Sequence, residues 1–387
     1  MVVKSVDAVE SLKRRGSVNE RFGVRPIING NGTQTVLGGS IMEPEVAEAM
    51  AEASRTMVVL EELNEAAGQL IAEHTGAEAG LVTSGAAAGL TLQAASVIAG
   101  GDPERIALLP EAGHDRNQIV IKKSHDSEFT QAWRQGGARL VWVGNEETCH
   151  DWEIESAISG ETVALGFIAS RWHPDSFEGL SKFADIAHGH GLPLLVDAAA
   201  MLPPAENLRR FIEYGADLVS YSGGKAIKAP QSTGILCGRA DLIGAAKVNA
   251  SPHYSIGRPM KVAREEIVGL MAALELYARR DHEADMRRWS SEGRAIVDAV
   301  IEIPGVTAII EQDDWLRPVP EVSIAFTSEW RGRSAEEIVD ALAEGDPPII
   351  IEASRRDDED IFVNPHGLMP GEAELIAERL RVELEAG

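Results

Sequence analysis

Between Ala79 and Gly238, short runs of consecutive apolar residues alternate with longer stretches whose apolar positions recur every three or four residues. The runs "AGLVTS", "NQIVIKK", "ARLVWVG", "TVALGFIAS", "LPLLVDAAA", "ADLVSYS" and "STGILCG" have the texture of strands buried on both faces. Between them, "GAAAGLTLQAASVIAG", "SFEGLSKFADIAHGHG" and "NLRRFIEYG" carry helical spacing and stop at glycine. Buried strands separated by amphipathic helices predict an α/β domain with a mainly parallel, doubly wound sheet.

The flanks read differently. "GVRPIINGNGTQTVLGGS" is rich in Gly, Asn and Thr and predicts a loop-rich lead-in. "EPEVAEAMAEASRTMVVLEELNEAAGQLIAEHTG" predicts helix, broken near Arg55 and stopped at Gly76. Past Arg258 comes one long helical stretch, from "KVAREEIVGL" to "IVDAVIEI". Then "EVSIAFT", "SAEEIVDALAEG", "PPIIIEAS", "DIFVNP" and a helix from Gly371 predict a small C-terminal α+β domain. The expected organisation is an N-terminal arm over residues 1–22, a large domain over 23–257, and linking helices with the small domain over 258–387.

Composition narrows the function classes. A chain of 387 residues, 44% hydrophobic, is large enough for two cores. It has no apolar run of the roughly 18 residues that a membrane span needs. "MVVKSVDAVESLKRRG" lacks the apolar centre of a secretory signal, so a cytoplasmic protein without a membrane partner is expected. Cys149 and Cys237 are far apart and form no CxxC, so neither a disulfide framework nor a metal site is expected. The net charge of -25 repels nucleic acid. Otherwise it reads as a solubility device.

In open parallel sheets, ligands bind beyond the carboxyl ends of the strands. There the sequence places Ser84-Gly85-Ala86-Ala87, Ser124-His125, Arg171-Trp172-His173, Asp197, and Ser222-Gly223-Gly224-Lys225. Each has an ordinary explanation: small residues pack, Asp caps helices, His sits in surface loops, and Lys after two glycines marks a turn. As a set, they offer an anion site, a carboxylate and a lysine along one sheet edge. That set suits pyridoxal 5'-phosphate. Backbone N–H groups of Ser84, Gly85 and Ala86 at a helix start suit the phosphate, and Ser222 adds a hydroxyl. Asp197 suits the pyridine nitrogen and Lys225 the aldehyde. Lys228 lies three residues on and is a rival. Lys225 is preferred because it directly follows the strand and two glycines, which are expected to let the backbone approach the cofactor.

The segments "INGNGTQTVLGGS", "VTSGAAAGL", "PLLVDAAA", "ADLVSYSGGKAIKAPQSTGILCGRADLI" and "IGRPMKVAREEIVGLMAALE" together resemble the selenocysteine synthase-like group of fold-type-I pyridoxal phosphate enzymes. Within it, the pattern is most similar to the D-glucosaminate-6-phosphate ammonia-lyase branch. The resemblance runs from about Gly23 to the end of the chain. It implies an aminotransferase-like large domain, and a homodimer or higher homo-oligomer with active sites at the interface. It makes Lys225 the Schiff-base lysine, Asp197 the pyridine partner, and His125 the side chain stacked on the ring. It suggests that Arg258 and Lys261, in "GRPMK", lie near the phosphate or an acidic substrate; a surface pair at a helix start is the plainer alternative. Two departures stand out. Selenocysteine synthase usually shows "SGDK" where this chain has Gly224, and the N-terminal domain that grips tRNA is not expected here. With the acidic charge, these point to a small amino-acid-like substrate.

The expected reaction is α,β-elimination from an amino acid or amino sugar acid, giving ammonia and a 2-oxo acid, with Lys225 as the base. Arg171 and Arg355 are candidates for the substrate carboxylate. "RRDDED" around Arg355 also reads as a solvated charge run. His366 in "NPHGL" and Thr33 in the lead-in are further candidates for substrate contact. Other chemistry of the same cofactor, such as retro-aldol cleavage, racemisation or β-replacement, starts from the same residues. A non-catalytic protein retaining the fold is the alternative of another class. A nicotinamide-binding fold would require GxGxxG after the first strand, and "TSGAAAG" does not supply it.

Overall fold

The apolar runs become strands in a computed structural model that describes residues 2–111, 116–170, 176–315, 317–353 and 360–386. In chain order these are β1 (Ile28–Asn29), β2 (Ala79–Thr83), β3 (Gln118–Lys122), β4 (Arg139–Val143), β5 (Thr162–Ile168), β6 (Leu194–Asp197) and β7 (Leu218–Ser222). They continue as β8 (Gly234–Gly238), β9 (Val306–Glu311), β10 (Glu321–Phe326), β11 (Ile349–Ile350), β12 (Glu352–Ala353) and β13 (Ile361–Val363). By internal packing the chain forms two units, residues 41–280 and residues 1–40 with 281–387.

The unit of residues 41–280 holds a seven-stranded sheet of order β2-β8-β7-β6-β5-β3-β4. Only β8 runs against the others, between β2 and β7. The connection from β7 to β8, residues 223–233, is too short for the crossover that a parallel neighbour requires. It therefore folds back as a turn, and that turn carries Lys225. β5, β6 and β8 are buried at every position, which is why, apart from Thr162 and Asp197 at strand ends, their sequences are apolar or glycine. The predicted break near Arg55 is real: helices Pro44–Ala53 and Leu60–Thr75 flank it, and Gly76 ends the second in the left-handed conformation. Helix Arg264–Arg279 packs on both of these helices and so belongs to this unit.

The other unit builds an antiparallel sheet of order β12-β13-β10-β9, and separately pairs β1 with β11 in parallel. Its core includes Ile296, Val322, Ile324, Ile338, Leu342, Ile361 and Leu380. The expected arm is largely helix Val2–Arg21. Arg15 on that helix is ion-paired to the buried Glu372 at 2.6 Å. The long helical stretch predicted after residue 260 is two helices. The second, His282–Val300, starts at Asp281, whose side chain accepts the Ala284 N–H at 2.8 Å. "PPIIIEAS" splits into β11 and β12, which pair in different sheets. No described helix is long and apolar enough to cross a membrane.

Candidate active site

β2, β3, β6 and β7 end on the same edge of the large sheet, because the intervening β8 reverses twice. Helix Gly85–Ile98 begins at that edge, directly after Ser84. Gly85 takes the left-handed conformation (φ +77°) that turns the chain from strand to helix. The first turn contains no acidic residue, and Ser84, Gly85 and Ala86 are half-buried. Its unpaired N–H groups and the positive end of the helix dipole suit a phosphate. β8 passes close behind: a Cβ on Gly234 would lie 2.5 Å from the Gly85 carbonyl carbon.

Asp197 closes β6 and is buried, 5% exposed. Its Oδ1 accepts the Ala199 N–H at 2.9 Å, and its main-chain oxygen accepts the Ala169 N–H at 2.8 Å. Burial pushes its carboxyl above the ordinary range; the Ala199 N–H and the charge of Lys225 pull the other way. Lys225 is thus near enough to act on Asp197 electrostatically.

Lys225 is half-buried in the turn after β7. The two preceding glycines have a packing reason of their own. A Cβ on Gly223 would lie 2.3 Å from Thr233 Oγ1, and one on Gly224 would lie 2.5 Å from Gln231 Cα. They are small so that the turn closes on its own returning limb. The same contact explains why the acidic residue of "SGDK" has no room here. Lys228, the rival, is ion-paired to Glu43 Oε1 at 2.7 Å.

His125 follows β3 and is fully buried. Its Nδ1 accepts the Ile168 N–H at 3.2 Å, and its ring meets Phe167 edge-on at 4.6 Å between centroids. A neutral ring held this way carries its proton on Nε2.

Two residues of the arrangement went unnoticed in the sequence. Ser220, buried on β7, donates from Oγ to the Ala86 carbonyl at 2.9 Å, tying the helix start to the strand that leads to Lys225. Gly89 makes the approach possible, since a Cβ there would sit 2.3 Å from Ser220 Oγ. Gln93, buried in the same helix, donates to the Val196 carbonyl at 3.0 Å and accepts from Trp133 Nε1 at 2.9 Å. A glutamine among apolar helix positions was the available signal.

The structure therefore gathers Ser84, Gly85, Ala86, His125, Asp197, Ser222 and Lys225 along one sheet edge. Arg258 and Lys261 lie beyond helix Ala240–Asn249; Arg258 leans on the Tyr254 ring at 5.9 Å and Lys261 is exposed. Thr33 and His366 belong to the other unit, where His366 is buried edge-on against Trp289 at 4.8 Å. Arg171 and Arg355 lie outside the described residues. An anion cradle without acidic residues, a buried carboxylate that lacks full charge compensation and an adjacent lysine together fit pyridoxal phosphate. Among the described residues, no cluster of His, Cys, Asp or Glu suits a metal ion.

Comparison with known proteins agrees with that fit. The family model of L-seryl-tRNA selenium transferase matches residues 27–288. D-glucosaminate-6-phosphate ammonia lyase of Salmonella typhimurium is 34% identical over 372 residues, covering 94% of this chain and 97% of its own. A 5'-C-glycyluridine monooxygenase-decarboxylase of a Streptomyces species is also 34% identical, over 368 residues, covering 93% and 90%. A solved structure of D-glucosaminate-6-phosphate ammonia-lyase superposes with a TM-score of 0.83 at 33% identity, covering 95% of this chain and 98% of that one.

Proposed function

The chain belongs to the L-seryl-tRNA selenium transferase family, and we propose that it removes ammonia from an amino acid or amino sugar acid by α,β-elimination, leaving a 2-oxo acid. It is a pyridoxal-phosphate-dependent lyase of fold type I. The observation that carries the proposal is the placement of buried Asp197 at the end of β6 and Lys225 in the turn after β7, on the sheet edge where helix Gly85–Ile98 begins. Similarity along nearly the whole chain to an ammonia lyase supports it.

When bound, pyridoxal phosphate withdraws electrons from the α-carbon of an attached amine. In our reading, the N–H groups of Ser84, Gly85 and Ala86 hold its phosphate, with Ser222 beside them. Asp197, costly to bury as a lone charge, would take the pyridine nitrogen as its positive partner and keep a proton there. Lys225 would hold the cofactor through its Nζ. Once free, that Nζ would take the α-proton of the substrate and return a proton to the departing β-hydroxyl. Water lost at that step is regained when the product hydrolyses to the 2-oxo acid and ammonia. His125 is kept as the side chain that would stack on the cofactor ring, with its Nδ1 accepting the Ile168 N–H beside β6. Arg258 and Lys261 are assigned to acidic groups of cofactor or substrate, and Arg171, Arg355, Thr33 and His366 stay as candidates for substrate contact.

A homo-oligomer is part of the proposal. Met57, Val58 and Val59 are exposed to 87%, 53% and 55%, and Val58 lines a groove of about 270 Å³ with Ala49, Ala53, Leu63 and Val268, alongside Glu52, Thr56 and Arg264. Apolar surface of this kind suits a second copy. A small-molecule substrate, rather than tRNA, follows from the charge of -25.

The test is a product assay. The cofactor-loaded protein is offered amino acids and amino sugar acids, including D-glucosaminate 6-phosphate. Equal amounts of ammonia and 2-oxo acid are expected from at least one β-hydroxy substrate. Carbon dioxide without ammonia would replace the proposal with decarboxylation, the activity in the name of the Streptomyces relative.

A further inference from the structure

Resting on the reading of Lys225 as the lysine that holds the cofactor, we propose that Lys228, Glu43 and Arg280 clamp the turn carrying Lys225, which makes Lys228 a positioning residue. Among the described residues, Lys228 is the non-glycine residue with a left-handed backbone, φ +59°. A side chain in that conformation is strained and persists where its neighbours enforce it.

The neighbours here are specific. Lys228 N–H donates to the Lys225 carbonyl at 3.0 Å, and Ala229 N–H donates to the Gly223 carbonyl at 3.0 Å. Lys228 Nζ reaches Glu43 Oε1 at 2.7 Å across a sequence separation of 185 residues. Arg280 Nη2 reaches the same oxygen at 3.4 Å, while its Nη1 donates to the carbonyl of Ala226 at 3.3 Å. Ala226 is the residue next to Lys225. The Lys228, Arg280 and Glu43 side chains are 23%, 17% and 38% exposed, so water screens the cluster in part.

Both anchors come from helix ends. Glu43 sits at the start of helix Pro44–Ala53, and Arg280 at the end of helix Arg264–Arg279. Two helices that pack on each other thus grip a four-residue turn from outside. Glycine at 228 would adopt the same backbone without strain, but it has no amine to reach Glu43. The strained lysine is explained by its side chain. Lys225 carries its amine on a flexible four-carbon stem, so the backbone beneath it must be fixed for the amine to meet a bound aldehyde.

The test compares attachment with binding. Pyridoxal phosphate attachment to Lys225 is followed by visible absorbance, then trapped with borohydride and located by peptide mass. Affinity for pyridoxamine phosphate, which has no aldehyde, reports the site without the lysine. K228G is expected to keep or raise the melting temperature of the apoprotein and to hold pyridoxamine phosphate affinity within about twofold, while slowing attachment by about fivefold or more. E43Q is expected to share the slow attachment, and K228R to restore most of the rate. Attachment at the wild-type rate in both K228G and E43Q would overturn the clamp. So would equal losses of attachment rate and pyridoxamine phosphate affinity, which indicate general loosening. Absence of attachment at Lys225 in the wild-type protein would instead defeat the cofactor reading beneath it.

Discussion

Asp197 shows what one side chain costs and supplies. Its burial raises the carboxyl pKa above the ordinary value despite the Ala199 N–H and Lys225. The sign follows from linkage: a carboxylate with a raised folded pKa favours the fold when protonated, and that contribution is lost as pH rises through the raised value. In the apoprotein, ionising this group above its raised value is therefore a burden. Thermal melting of apo D197N should match or exceed the wild type at pH 7, and the difference should fade below about pH 4. Turnover with cofactor should fall roughly a hundredfold or more, because the neutral amide cannot hold a proton on the pyridine nitrogen. A loss of apoprotein stability at pH 7 would show that Asp197 is satisfied without the cofactor. At this scale, Lys225 and Asp197 were legible because each directly follows an apolar strand. Glu43 and Arg280 were not, since nothing local to either sequence points to Lys228.

Among elements, the strand β8 decides the geometry of the site. Reversed between β2 and β7, it lets the short turn from β7 carry Lys225 back across the edge. Its passage requires bare backbone at Gly234, where a Cβ would lie 2.5 Å from Gly85. Ala at 234 should cost about 2–4 kcal/mol in denaturant unfolding and weaken phosphate binding at the adjoining helix start. Gly244 provides the control: it lies in helix Ala240–Asn249 with nothing within 4 Å of an added Cβ. G244A should stabilise by about 0.5–1 kcal/mol. Equal effects of the two changes would contradict the close approach. Most strands of this sheet were legible because burial on both faces leaves mainly apolar runs, although β4 is only partly buried and Ser220 interrupts β7. The antiparallel direction of β8 was not, because periodicity carries no direction. Nor was the split of "PPIIIEAS", where one apolar run serves two sheets.

For the whole molecule, family and charge pull apart. The matching family is named for a reaction on tRNA, yet this chain carries a net charge of -25, and the relatives that it matches end to end include one named for a sugar-acid substrate. Repulsion between an acidic surface and a polyanion favours the small substrate. The partition of the chain illustrates the limits of sequence texture. The helical stretch after residue 260 looks continuous, but its first helix packs with residues 44–75 and its second with the C-terminal sheet. Only tertiary contacts separate them. The central claim, a pyridoxal phosphate enzyme working through Lys225, is open to one direct measurement: borohydride reduction of the cofactor-loaded protein, followed by peptide mass mapping. The account predicts a single reduced cofactor adduct on Lys225, with Lys228 unmodified. An adduct on Lys228, or a protein that takes up no cofactor, would contradict it.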